Sequence, residues 1–162
     1  PLRRQRQMCI RDRGKASGDP ERYPTKGPKK RIPHINAISA VIQRDGKVLL
    51  NRRPPKGLLG GLWEFPNWKI KGKRMSRFRF RLRLRNCIRE EMGLNVQVEG
   101  PIGVFQQTYS HFKLTLQTYH CQAINRNKNG RWIPIKNLPL LPMSRIHRRI
   151  AETVVKSFNQ IG

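Results

Sequence analysis

Apolar residues fall in short runs separated by turn-forming pairs, and the spacing inside each run indicates its element. Ile35 to Gln43 is apolar and β-branched, which predicts a strand. Asp45-Gly46 is a strong hairpin signal, and Lys47 to Asn51 supplies the returning strand. Leu62-Trp63-Glu64-Phe65-Pro66 reads as a short strand ended by proline. Trp63 and Phe65 are expected in the core, because residues two apart on a strand share a face. Beyond Gly93 the strand candidates are Asn95 to Val98, Ile102 to Thr108, Lys113 to Ala123 and Arg131 to Ile135, with a turn at Asn127 to Gly130. Pro139 to Pro142 reads as a proline-bracketed loop. Ser144 reads as the N-cap of a closing helix that reaches about Phe158, with Ile146, Ile150, Val154 and Phe158 on one face at fourfold spacing.

One stretch conflicts with itself. From Arg77 to Arg85, arginine alternates strictly with Phe or Leu, which predicts a strand with one basic and one apolar face. It runs directly into Cys87 to Met92, which reads as the last turns of a helix stopped by Gly93. Such conflicts occur at functional sites or in corrupted sequence. The wider segment Lys69 to Arg85 holds nine basic residues and no acid, and reads either as a DNA-facing insertion or as a frame error. The order of several strands, a helix, more strands and a final helix predicts an α+β domain around a mixed sheet over residues 35–160. Residues 14–34, rich in Gly, Pro and Lys, read as an extended linker.

Charge changes the picture more than length does. The 162 residues carry 35 Lys+Arg against 9 Asp+Glu, a formal net charge of +26. Residues 1–13 resemble a translated sequencing-adapter read-through and are expected to be a non-native leader. Setting them aside leaves 30 basic and 8 acidic residues, a net +22. Such a field draws polyanions, because each neutralised phosphate releases condensed counterions. Nucleic acid is therefore the expected partner. A membrane is not expected, since no apolar run approaches the ~18 residues needed to span one. Cys9, Cys87 and Cys121 are widely spaced and form no metal-ligand cluster, which fits a reducing compartment.

Four segments then add specificity: Gly18 to Pro24; Arg52 to Pro66, with its Gly57-Leu58-Leu59-Gly60-Gly61-Leu62-Trp63-Glu64-Phe65-Pro66 phrase; Tyr109-Ser110-His111-Phe112-Lys113-Leu114; and Trp132 to Pro134 with Leu138 to His147. Together they resemble the Nudix-like C-terminal domain of A/G-specific adenine DNA glycosylases. The resemblance implies a Nudix-like mixed β-sheet flanked by helices that recognises 8-oxoguanine opposite adenine in double-stranded DNA. It implies a covalently linked catalytic domain upstream, bearing the catalytic residues and a 4Fe-4S cluster. It implies neither catalytic residues nor cofactor here, and a cytoplasmic, nucleoid-associated setting for a bacterial source.

The lesion differs from guanine by an O8 carbonyl and an N7–H, and a hydroxyl can both accept and donate at that edge. By residue type Ser110 reads as a turn former; with the resemblance it reads as the base contact, flanked by Tyr109 and His111. His111 either touches DNA or braces the loop. Arg52, Arg53 and Lys56 surround a Gly-rich turn suited to phosphate, or form a solvated basic loop.

The alternative is a Nudix pyrophosphohydrolase acting on oxidised nucleotides such as 8-oxo-dGTP, which needs Mg²⁺ on a cluster of glutamates. Glu90-Glu91-Met92-Gly93 keeps the second half of that signature. Asn86-Cys87 stands where Arg-Glu is required, Asn67-Trp68 replaces Gly-Gly, and the spacing is longer. Glu90 and Glu91 then read as a vestigial metal pair, or as solvation of a helix end. Activity stays open on sequence, with hydrolysis not expected. A purely basic protein- or RNA-binding module would explain the charge but neither phrase.

Overall fold

The computed structural model describes residues 32–70, 76–125 and 130–160. The readings of residues 1–13, of the linker up to residue 31, of Gly18 to Pro24, of Cys9, of residues 71–75 and of the turn at 126–129 lie outside the described residues. The strands are β1 (His34–Arg44), β2 (Lys47–Arg52), β3 (Trp63–Glu64), β4 (Asn67–Lys69), β5 (Val96–Thr108), β6 (Lys113–Ala123) and β7 (Arg131–Pro134). The helices are α1 (Arg77–Met92) and α2 (Arg145–Asn159), with a 3₁₀ helix over Ile135–Leu140.

The strands form one mixed sheet in the order β3-β2-β1-β6-β5, with β4 on β1 and β7 on β2. β1 runs parallel to β6 from His34↔Lys113 to Gln43↔Gln122 and antiparallel to its other neighbours. The β1–β2 turn follows from Asp45 and Gly46, whose φ values of 49° and 68° give the left-handed pair that a tight hairpin needs. One apolar cluster fills each face of the sheet. α1 covers Ile38, Ile42, Val96, Val98 and Cys121, while α2 and the 3₁₀ helix cover Val41, Leu50, Phe65, Phe105 and Leu116. The chain is therefore an α+β domain with helices on both faces. No helix among the described residues is long and apolar enough to cross a membrane.

The alternating stretch Arg77 to Arg85 is helix, which overturns the strand reading. Every second residue is apolar, so Phe80, Leu84 and Ile88 also recur at helical spacing, and all three are buried. Ser76 caps the start by accepting from the Arg79 N–H at 3.4 Å, and Gly93 ends it at φ 62°. Like charges at Arg79/Arg83, Arg81/Arg85 and Arg85/Arg89 cost roughly 0.2–0.5 kcal/mol per pair. Burial of each large apolar side chain contributes about 1.5–3 kcal/mol, so burial wins. Leu84→Ala should cost about 2–5 kcal/mol.

Other boundaries also moved. The two strands expected at Asn95 to Val98 and Ile102 to Thr108 are one strand, β5, with irregularities at Val98/Gly100 and Pro101/Gly103. Pro101 has no N–H to donate, and a bulge on an edge strand accommodates that. His120 holds the bulge, with Nδ1 2.6 Å from Glu99 and Nε2 2.9 Å from Gln43. Arginines from both helices satisfy carbonyls of this edge strand: Arg81 donates to Val98 and Glu99 at 2.6 and 2.8 Å, and Arg149 to Gln106 at 3.3 Å. The first half of the expected Pro139 to Pro142 loop is the end of the 3₁₀ helix, which Arg148 ties down through the Leu138, Pro139 and Leu141 carbonyls. Ser144 sits at the N-cap of α2 without a side-chain cap bond, and Phe158, at the end of the face that Ile146, Ile150 and Val154 bury, is exposed.

Candidate nucleic-acid interface

Two loops open toward one end of the sheet because of strand direction. β1 and β6 both start there, β5 ends there, and β2 returns toward it after the hairpin. The turn that joins β5 to β6 is Tyr109 to Phe112. Its base is closed by the Tyr109 N–H donating to the Phe112 carbonyl at 2.8 Å, and by the two rings stacked at 4.7 Å. Ser110 and His111 occupy the tip, and both are exposed. Tyr109 is half-buried against Phe112, so it braces the turn while Ser110 and His111 face solvent.

The second loop runs from Arg53 to Leu62. Its path doubles back tightly: the Gly61 N–H lies 3.3 Å from both the Arg53 and Pro54 carbonyls, and the Arg53 N–H donates to Leu62 at 2.9 Å. Gly60 approaches the backbone of Pro55 so closely that an added Cβ would sit 2.2 Å from its carbonyl oxygen. That contact explains a Gly at this position on packing grounds. Lys56 is exposed on this loop.

The three cations expected to meet phosphate are held differently. Arg52 donates through Nε to the Gly61 carbonyl at 3.1 Å and lies over the Trp63 ring, 6.0 Å from its centroid. Arg53 is engaged by Glu64 at 2.8 Å. Trp63 is half-buried, with Phe65 alone of the pair fully in the core. A further cation, Arg131, lies 5.5 Å from the same ring. Sequence reasoning missed Arg131. It reaches Trp63 through the β2–β7 pairing, in which it stands opposite Leu50, and no local spacing signals that.

Beneath this loop lies His147, which is 4% exposed. Its Nδ1 accepts the Phe65 N–H at 3.3 Å, so that nitrogen must keep its lone pair. Burial lowers its pKa to about 4, with the Arg53 guanidinium adding to the effect. Glu64 lies 3.7 Å from Nε2 and would favour the imidazolium, but that carboxylate already faces Arg53. Burial and the Phe65 N–H decide the outcome, and His147 is neutral. Arg53, Glu64 and His147 thus join the loop, β3 and α2 into one polar link that runs from the surface to the buried His147.

Glu90 and Glu91 lie elsewhere. They are exposed in the last turn of α1, whose end is fixed by Asn125 donating to the Gly93 carbonyl at 3.3 Å. Asn125 lies just past the end of β6, a strand length from the Ser110 turn. Cys87 occupies the preceding turn, and its thiol is raised by desolvation, with Arg83 opposing and Glu91 and Glu90 adding. Among the described residues no group of three or more His, Cys, Asp or Glu could hold a metal ion. Mg²⁺ is commonly held by one or two carboxylates together with substrate phosphates, and here Glu90 and Glu91 are the carboxylates that α1 offers. Cys121, the other described cysteine, is buried and its thiol is pushed up to about 12.

Comparison with known proteins follows the fold. The profile of the NUDIX domain matches residues 37–153. The chain is 33% identical over 86 residues to the CTP pyrophosphohydrolase of Escherichia coli, covering 53% of this chain and 61% of that protein. It is 30% identical over 101 residues to the human adenine DNA glycosylase, covering 60% of this chain and 18% of that protein. The match thus spans under two thirds of the first relative and under a fifth of the second. Among solved structures, the C-terminal domain of mouse MUTYH, in complex with human PCNA, superposes with a TM-score of 0.56 at 21% identity. That match covers 77% of this chain and 90% of that one.

Proposed function

The chain belongs to the NUDIX domain family, and on that premise we propose that it reads 8-oxoguanine opposite adenine in duplex DNA as the recognition domain of an adenine DNA glycosylase. The observation that carries the reading is the braced turn, with a hydroxyl and an imidazole exposed at its tip toward the end where the basic Gly-rich loop opens. The fold alone does not choose, because a nucleotide hydrolase and a glycosylase both lie among the relatives. The donor set does. Asn86 and Cys87 remove carboxylate density from α1, and Arg83 brings a cation beside that position.

Phosphate contacts from Arg52 and Lys56 would set the register on the duplex, and Ser110 would supply the base-specific hydrogen bond. Equilibrium binding to two duplexes, differing by 8-oxoguanine or guanine opposite adenine, tests the reading on the full chain. The lesion duplex should bind more tightly. Equal affinities would reject the assignment.

A second reading rests on the retained Glu90-Glu91-Met92-Gly93 and the 33% identity to a pyrophosphohydrolase. It requires Mg²⁺-dependent release of pyrophosphate from 8-oxo-dGTP that disappears in the Glu90→Gln/Glu91→Gln variant. The recognition reading expects no such turnover.

A further inference from the structure

α1 presents more to solvent than its packing requires. Phe78 is 75% exposed and Leu82 49%, while Phe80, Leu84 and Ile88 supply the buried face. Phe78, Leu82, Arg85 and Arg89 follow one another at helical spacing and form a single outward stripe, apolar at its start and cationic at its end. Beside the stripe lies a groove against the first residues of β5, lined by Phe78, Leu82, Arg85, Val98 and Ile124, with Ile124 64% exposed. Arg81 fixes one wall through its bonds to the Val98 and Glu99 carbonyls.

The cations here are unspent. Among the described residues the side chains of Arg79, Arg83, Arg85 and Arg89 make no hydrogen bond or ion pair, and the Nε of Arg83 is buried without a partner. The helix tolerates repulsion between neighbouring guanidinium groups that a polyanion along it would relieve. An exposed aromatic beside an apolar groove, continued by free arginines, matches the chemistry of an unstacked base with its flanking phosphates. Bases in an intact duplex hide their faces, so the occupant is a single strand.

We propose that the outer stripe of α1 binds single-stranded nucleic acid, with a base stacked on Phe78 and adjacent phosphates held by Arg85 and Arg89. The site is separate from the Ser110 turn and does not depend on the lesion reading.

The test is fluorescence anisotropy of the full chain with labelled oligo-dT, oligo-U, an abasic oligomer of equal length and a blunt undamaged duplex. Phe78→Ala should weaken oligo-dT or oligo-U binding about tenfold, leaving the abasic oligomer and the duplex unchanged, and Phe78→Tyr should restore it. The stronger of the dT and U arms identifies the sugar. Arg85→Gln/Arg89→Gln should flatten the single-strand salt dependence by about 0.7 for each phosphate no longer neutralised. Both variants spare the buried face, and thermal unfolding checks that each is folded. An unchanged single-strand affinity in Phe78→Ala, or an equal loss on the duplex, would overturn the proposal. The 8-oxoguanine preference is measured on the same proteins, so either claim can fail without the other.

Discussion

The two ends of the sheet share one strongly basic chain and treat its charge in opposite ways. At the hairpin end, where β1 turns into β2 and β6 finishes, acids stand beside basic side chains: Arg44 lies 3.5 Å from Asp45, the His120 ring hydrogen-bonds Glu99 at 2.6 Å, and Glu90 and Glu91 close α1 nearby. At the loop end, among the described residues of these loops and their flanking strands, the acid is Glu64, which is 17% exposed and matched by Arg53. Arg52, Lys56, His111 and Lys113 stand there with no other carboxylate from these loops. On the proposed reading, the scarcity of acids on these loops makes the loop end the duplex-facing surface. A field concentrated at that end would orient a bound duplex so that the Ser110 turn meets it.

The largest expected effect tests that sorting. Duplex affinity should fall on the order of a thousandfold between about 50 and about 200 mM salt. Arg52→Gln/Lys56→Gln should reduce the log–log slope by about 0.9 for each phosphate that the variant leaves unneutralised. Arg44→Gln, at the hairpin end, should leave the slope unchanged, and an equal flattening by that variant would break the comparison.

The next effect concerns what lies under the loop end. His147 has a folded pKa of about 4 against 6.5 when unfolded, so between those values the unfolded chain binds more protons. Its contribution is therefore complete above pH 6.5 and is lost as pH falls through about 4, by about 3 kcal/mol in all. Urea titrations across that window should show the loss. His147→Asn, which keeps an acceptor for the Phe65 N–H, should flatten it.

The loop end was more legible in the sequence than the helix that crosses the other face. Asp45-Gly46, the strand at Lys113 to Ala123 and the turn at Tyr109 to Phe112 are written in local chemistry, and each stands where that chemistry puts it. α1 was misread because an alternating pattern contains two periods at once. Phe80, Leu84 and Ile88 satisfy the helix, and only the sheet opposite them selects that face. The short strand Asn67–Lys69 has no pattern of its own and exists because β1 has a free edge beside it. Arg131 at Trp63 and the Arg53–Glu64–His147 link arise from pairings far apart in the chain, which no spacing within one segment encodes.

Two glycines sharpen the comparison on a smaller scale. Gly60→Ala, in the loop-end turn, places a Cβ 2.2 Å from the Pro55 carbonyl oxygen, and the backbone must shift. That should cost about 1–3 kcal/mol and weaken duplex binding. Gly46→Ala, in the hairpin-end turn, meets nothing within 4 Å and is strained only by φ +68°. It should cost about 1 kcal/mol and leave binding alone. Thermal unfolding paired with one binding isotherm for each variant separates them.

The smallest effect bears most directly on function. One hydrogen bond from the Ser110 hydroxyl to the N7–H/O8 edge is worth roughly 0.5–1.5 kcal/mol. Ser110→Ala should therefore reduce the preference for 8-oxoguanine over guanine by a few-fold to about tenfold, while affinity for the undamaged duplex stays nearly constant. Binding of wild type and variant to two probes differing at that one base, on protein shown to be folded, decides it. A preference that survives Ser110→Ala intact would contradict the account and leave the turn as scaffold.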